Sequence, residues 1–206
     1  MSILHITSSA RGLNSESSKL SRLIVDRLLA LSPRTSVVER DLGLFPLEGV
    51  GCDYATSVLL GGHVPRDSAP TAFHLSEQLI GEIEAAGHVV IGTPMHNFCV
   101  PSALKTWIDY VVRRHRTFTY NGSEKVGLLA DRPVLIAVAG GGSFTEGSER
   151  HPDFLTPYLR LVLRTIGLTD VTFFSAQRLA GDKEVAEKSR EAFAKSVEEY
   201  FSRWRF

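Results

Sequence analysis

Strand-like apolar runs and segments of helical period alternate along this chain from end to end, and that alternation is the signature of βαβ units built on a parallel sheet. Strands are expected at about 2–7, 35–41, 88–93, 133–139 and 171–177, with helices at 15–31, 70–86, 101–114, 153–166 and 182–203. Val89-Val90-Ile91 and Val134-Leu135-Ile136-Ala137-Val138 are nearly continuous apolar runs, as central strands covered on both faces require. Local punctuation agrees with these bounds. Pro101 suits the first turn of the third helix, where its missing N–H costs nothing, and Gly87 and Gly167 sit where helices are expected to end with positive φ. Two stretches read as loops: 43–69, rich in glycine and proline, and 115–132, which carries Phe118, Tyr120, Asn121 and Gly122. Long loops inside a compact domain usually carry function.

With 206 residues, 43% of them hydrophobic, the chain can bury one substantial core, so a single domain over 1–206 is expected. Lys plus Arg equals Asp plus Glu at 23 each, which leaves no overall field to attract nucleic acid or anionic lipid. A small-molecule partner follows. Cys52 and Cys99 are too few and too isolated for a disulfide framework or a zinc site; no metal is expected, and two inert thiols point to a reducing, cytoplasmic setting. Polar Thr7-Ser8-Ser9 interrupts the first apolar run too early for a signal peptide, and no run approaches the roughly 20 residues of a membrane span.

In open parallel α/β sheets, ligands sit beyond the carboxyl ends of the strands, where strand order reverses. Three strands here run into loops suited to such a place. The first carries Ser8, Ser9, Arg11, Asn14, Ser15, Glu16, Ser17 and Ser18 at the start of a helix, where free N–H groups and the macrodipole favour an anion and hydroxyls add donors without charge. A terminal phosphate fits, although Asn14 or Ser15 also reads as a plain helix cap and Arg11 as a solvated arginine. The loop lacks the Gly-x-x-x-x-Gly-Lys-Ser/Thr pattern of triphosphate sites, and no strand is followed by Gly-x-Gly-x-x-Gly. After the third strand comes Pro94-Met95-His96-Asn97-Phe98. Met95 and Phe98 offer apolar contact to a flat ring, and the main chains of His96 and Asn97 offer polar groups to its edge; core packing is the plainer reading of both apolar residues. After the fourth strand, Ala139-Gly140-Gly141-Gly142 permits positive φ and close backbone approach, or simply forms a flexible tip.

With these residues in view, the chain resembles the FMN-dependent NADH:quinone and azo oxidoreductases, the azoreductase family formerly described as acyl carrier protein phosphodiesterases. The resemblance rests on Ser8-Ser9 with Ser15-Glu16-Ser17, on Thr93-Pro94-Met95-His96-Asn97-Phe98 followed by Pro101-Ser102-Ala103-Leu104-Lys105-Thr106-Trp107, and on Gly141-Gly142 and Thr156-Pro157-Tyr158-Leu159. It implies an α/β flavodoxin-like three-layer sandwich, with a five-stranded parallel sheet of order 2-1-3-4-5. It implies further that Ser9 and Ser15 to Ser17 hold the FMN phosphate, that Met95 to Phe98 and Ala139 to Gly142 line the isoalloxazine, and that the enzyme is a homodimer. Two departures stand out: the family usually has Tyr at His96, and Ser-Arg-Gly-Gly at Ala139 to Gly142.

The resemblance implies ping-pong two-electron chemistry, with NADH or NADPH delivering a hydride to bound FMN and a quinone or azo compound then accepting electrons at the same place. No acid–base triad is needed. Phe118 and Tyr120 are candidates for substrate stacking and His96 and Tyr120 for orienting it, with packing under the loop as the alternative for the two aromatics. Two rivals are a flavodoxin-like one-electron carrier and a hydrolase. The neutral charge and long loops speak against the first. Against the second, six residues after Cys52 and Cys99 stand Val58 and Lys105 rather than arginine, and Gly-x-Ser-x-Gly is absent.

Overall fold

The computed structural model describes residues 2–59, 71–144 and 151–204. Seven strands are present among them: β1 (Ser2–Thr7), β2 (Ser36–Asp41), β3 (His88–Pro94), β4 (Phe118–Asn121), β5 (Glu124–Gly127), β6 (Val134–Ala139) and β7 (Val171–Ala176). Six α-helices accompany them: α1 (Glu16–Leu31), α2 (Cys52–Leu59), α3 (Thr71–Ala85), α4 (Ser102–Val111), α5 (Leu155–Ile166) and α6 (Lys183–Phe201). Five parallel strands form one sheet in the order β2-β1-β3-β6-β7, so the chain reverses direction of progress at β1 and β3.

Alternation along each strand splits the core in two. Leu4, Ile6, Val89, Ile91, Val134, Ile136 and Val138 meet α3, α4 and α5, together with Tyr54 of α2. Ile3, Val90, Leu135, Ala137 and Ala139 meet α1 and α6 on the other face. Helices thus cover both faces, giving the three layers expected of a doubly wound sheet.

The sheet order expected as 2-1-3-4-5 differs in numbering, because β4 and β5 intervene as an antiparallel hairpin inside the 115–132 stretch read as loop. Its strands are four residues long and mostly polar, too short for a period-2 signal to register. Gly122 at φ 62° turns it, at the first central position of a two-residue loop. The 43–69 stretch likewise holds a helix not expected from the sequence, α2, whose flanking Gly49 and Gly51 masked its short apolar face; residues 60–69 of that stretch lie outside the described residues. Gly167 ends α5 at φ 104° as expected, but Gly87 is not among the residues with positive φ. Pro101 stands one position before the first turn, as the N-cap of α4, and that helix ends at Val111 rather than 114. Among the described residues, no helix is long and apolar enough to cross a membrane.

Candidate functional site

The carboxyl ends of β1, β3 and β6 lie side by side, and their loops enclose a cleft of about 340 Å³. That is within the roughly 300–1,000 Å³ of small-molecule sites. Ser9, Arg11, Ser15, Glu16 and Ser17 line one part; Pro94, Met95, His96, Ala139, Gly140 and Gly141 line another. Leu179 and Ala180 complete the wall.

Ser15 is the N-cap of α1: its extended backbone lets Oγ accept from the Ser18 N–H at 3.1 Å, while the same hydroxyl donates to Ser18 Oγ at 2.8 Å. The first backbone bond into the helix is Lys19 N–H to the Ser15 carbonyl. The N–H groups of Glu16 and Ser17 therefore remain for an external acceptor, as the first turn of any helix leaves them. Ser9, Ser15 and Ser17 are all buried, whereas Arg11 and Asn14 are exposed. Glu16 brings a negative charge to this helix start. Its hydrogen bond from Arg190 Nε, at 2.9 Å, is the chief cause of a carboxyl pKa below the usual range, so it stays ionised and paired.

Two glycines allow the close approach this end requires. A Cβ on Gly43 would overlap the Ser9 carbonyl, and one on Gly92 would overlap the Ser21 hydroxyl and come within 2.8 Å of the Ser17 carbonyl. The first turn of α1 is thus pressed against β3 through Gly92 and propped from below by the Asp41–Leu44 turn. Asp41 Oδ1 holds that turn by accepting the N–H groups of Gly43 and Leu44.

At the other end, Met95 N–H donates to the Ala139 carbonyl at 2.9 Å and continues the ladder between β3 and β6 into the loops. The chain then reverses in two residues. His96 and Cys99 exchange both N–H···O bonds at 2.9 Å, with Asn97 and Phe98 between them at φ 47° and 70°. Positive φ at both central positions makes this a type I′ turn, an unusual place for phenylalanine. The His96 main chain, expected to serve a ligand, is therefore engaged with Cys99. The turn leaves the N–H groups of Asn97 and Phe98 without a partner inside it.

Asn97, Phe98 and Gly142 do not line the cleft. Gly140, Gly141 and Gly142 permit positive φ, but none of them adopts it. Gly140 is required for a different reason: a Cβ there would stand 2.6 Å from the Phe144 ring. The carbonyls of Gly140 and Gly141 accept from Leu179 and Ala180, and that bonding brings these two residues to the cleft. They follow β7 and carry no chemical signature, but the rule that ligands lie beyond strand carboxyl ends would have included their loop. Phe118 is buried and packs edge-on to Tyr120 at 5.8 Å, so it belongs to the hairpin's own packing. Tyr120 is exposed beneath the Arg114 guanidinium, away from the cleft lining. A groove of about 390 Å³ between β7 and α6, lined by Phe173, Phe174 and Tyr200 among others, contains neither a helix N-terminus nor a strand-end loop and offers no comparable chemistry.

Residues 1–201 match the family described as having a flavodoxin-like fold. The chain is 46% identical over 191 residues to FMN-dependent NADH:quinone oxidoreductase 4 of Pseudomonas fluorescens, covering 92% of this chain and 91% of the relative. It is 43% identical to FMN-dependent NADH:quinone oxidoreductase 5 of Burkholderia lata, covering 95% and 94%. Among solved structures, an azoreductase from Bacillus anthracis superposes with a TM-score of 0.86 over 99% of this chain and 100% of that one, at 23% identity, a likeness of fold.

Proposed function

This chain belongs to the flavodoxin-like family that includes the FMN-dependent NADH:quinone oxidoreductases, and from that membership we propose that it is an FMN-dependent NAD(P)H oxidoreductase acting on quinones and aromatic azo compounds. The observation that carries this reading is the pairing, in one cleft, of a capped helix start with open N–H groups and an apolar ledge. The residues fit FMN. The N–H groups of Glu16 and Ser17, with the hydroxyls of Ser9, Ser15 and Ser17, would hold the phosphate, and Arg11 adds positive charge at the rim. Pro94, Met95, Ala139 and Leu179 would contact the ring, while Gly140, Gly141 and Ala180 let main chain approach it closely.

When bound, FMN would supply the two-electron redox chemistry between NAD(P)H and the acceptor. In balance, NADH, a proton and a quinone give NAD⁺ and a hydroquinone, and cleaving an azo bond to two amines takes two such turnovers. The protein's residues bind, orient and exclude water. His96, exposed at the rim, orients the acceptor with its ring while its main chain holds the turn.

The same reading covers the chain as one domain, in the cytoplasm, where Cys52 and Cys99 remain thiols. It also covers a homodimer: Tyr120 and Val126 on the hairpin and Leu128 just after it, with Phe98, Phe154 and Leu161, are large apolar side chains left exposed by one copy. Sedimentation as a fully active monomer at assay concentrations would remove the dimer.

The test of function is a visible spectrum of the purified protein, identification of the flavin after heat release, and steady-state NADH oxidation with a quinone. FMN and sustained turnover are expected. FMN without turnover would make the protein an electron carrier, and no flavin affinity would remove the reading altogether.

A further inference from the structure

Behind the helix start lies a buried polar chain that packing alone does not require. His5, in the middle of β1, faces α1 and is almost wholly enclosed. Its Nδ1 lies 2.7 Å from Glu39 Oε2 on β2, and its Nε2 lies 2.8 Å from Ser21 Oγ on α1. Glu39 is also bound by Arg22 at 2.6 Å. On the inner side, Ser21 Oγ lies 3.1 Å from the Ser18 carbonyl, and Ser18 is bonded through both its N–H and its hydroxyl to Ser15, the cap residue in the cleft. A continuous relay therefore runs Arg22, Glu39, His5, Ser21, Ser18, Ser15. Every member but the outer two has a partner on each side.

Ser21 has one proton, so the relay's direction follows the imidazole. With His5 neutral, Nδ1–H donates to Glu39 and Nε2 accepts from the Ser21 hydroxyl. With His5 protonated, Nε2–H donates to Ser21, whose hydroxyl turns to the Ser18 carbonyl. Burial favours the neutral form against the pull of Glu39, with Arg22 adding to burial and the Asp26 charge adding to Glu39; Arg22 and Asp26 belong to α1 and Glu39 to β2, while β3 brings the uncharged Val90 beside His5. Gly92 of β3 leaves just enough room for Ser21 at this contact.

We propose that His5 is a positioning residue for the anion-binding end of the cleft, fixing the first turn of α1 relative to β1 and β2 through Ser21 while Glu39 fixes the imidazole. This rests on the reading that the FMN phosphate binds at that turn. A hydrogen bond lost in such a relay leaves the helix start free to shift by tenths of an ångström, and the donors that suffer are those aimed at the phosphate, not those facing the ring.

The test is equilibrium titration of apoprotein with FMN and, in parallel, with riboflavin, for the unaltered chain and for Ser21→Ala, Glu39→Met and His5→Gln. Ser21→Ala removes one oxygen, and Glu39→Met keeps side-chain length at an exposed position while removing the acceptor for Nδ1–H, so both fold even where His5→Gln does not. Expected is FMN affinity about three- to tenfold weaker in Ser21→Ala and Glu39→Met, with riboflavin affinity unchanged. Equal losses for FMN and riboflavin, or no loss for either, would overturn the positioning role while leaving the phosphate reading intact. An unaltered chain that binds FMN and riboflavin equally would instead overturn the phosphate reading, and this proposal with it.

Discussion

Gly43 shows how strictly single residues govern the site. A methyl group there meets the Ser9 carbonyl, which is backbone and cannot swing aside as a side-chain tip would. Gly43→Ala is expected to destabilise the fold by about 1–3 kcal/mol and to weaken FMN binding, because the displaced atoms belong to Ser9, which lines the cleft. Thermal denaturation and flavin titration check this; wild-type values in both would mean that the loop yields at no cost. Gly43 was legible only as a loop glycine, since nothing in sequence says which backbone will pass beneath it. The serine loop and Met95 were legible because helix starts and strand ends have fixed chemistry. Missed were Leu179 and Ala180, brought in by hydrogen bonds from the neighbouring loop, and the engagement of His96 with Cys99, which a positive-φ pair without glycine conceals.

At the scale of elements, the five long strands and the helices between them announce themselves through apolar period, whereas the β4–β5 hairpin and α2 are too short to do so. What fixes the hairpin is contact with the end of α5. A Cβ on Gly127 would overlap the Gly167 backbone, one on Gly167 would clash with the Leu129 carbonyl, and Leu129 N–H donates to the Ile166 carbonyl at 3.1 Å. Gly167 also needs its φ of 104°. Gly167→Ala combines backbone strain with a Cβ 2.5 Å from the Leu129 carbonyl, and is expected to cost about 2–4 kcal/mol. Chemical denaturation measures it, with a shift below about 1 kcal/mol counting against the anchoring role.

Over the whole molecule, two histidines with lowered pKa values tie stability to pH just below neutrality. Burial lowers the pKa of both His5 and His88, the latter stacked on Trp204 at 5.5 Å, so both are favoured neutral in the fold. Between each lowered value and the unfolded value of about 6.5, the unfolded chain binds more protons, so stability rises with pH across that window. The contribution is fully present above about 6.5 and is lost as pH falls through the folded values. Melting temperature is accordingly expected to hold steady from pH 8 to 7 and to fall below about 6.5, less steeply in His88→Gln. A melting temperature that rises on acidification from pH 7 to 5 would contradict this. If one cleft serves nicotinamide and acceptor in turn, the two half-reactions separate under anaerobic conditions and can be followed in the visible spectrum. NADH added without acceptor should bleach the bound flavin, a later pulse of quinone should restore the oxidised spectrum, and double-reciprocal plots at several quinone concentrations should be parallel. An unbleached flavin together with intersecting lines would mean that both substrates bind at once and that the cleft is not shared in turn.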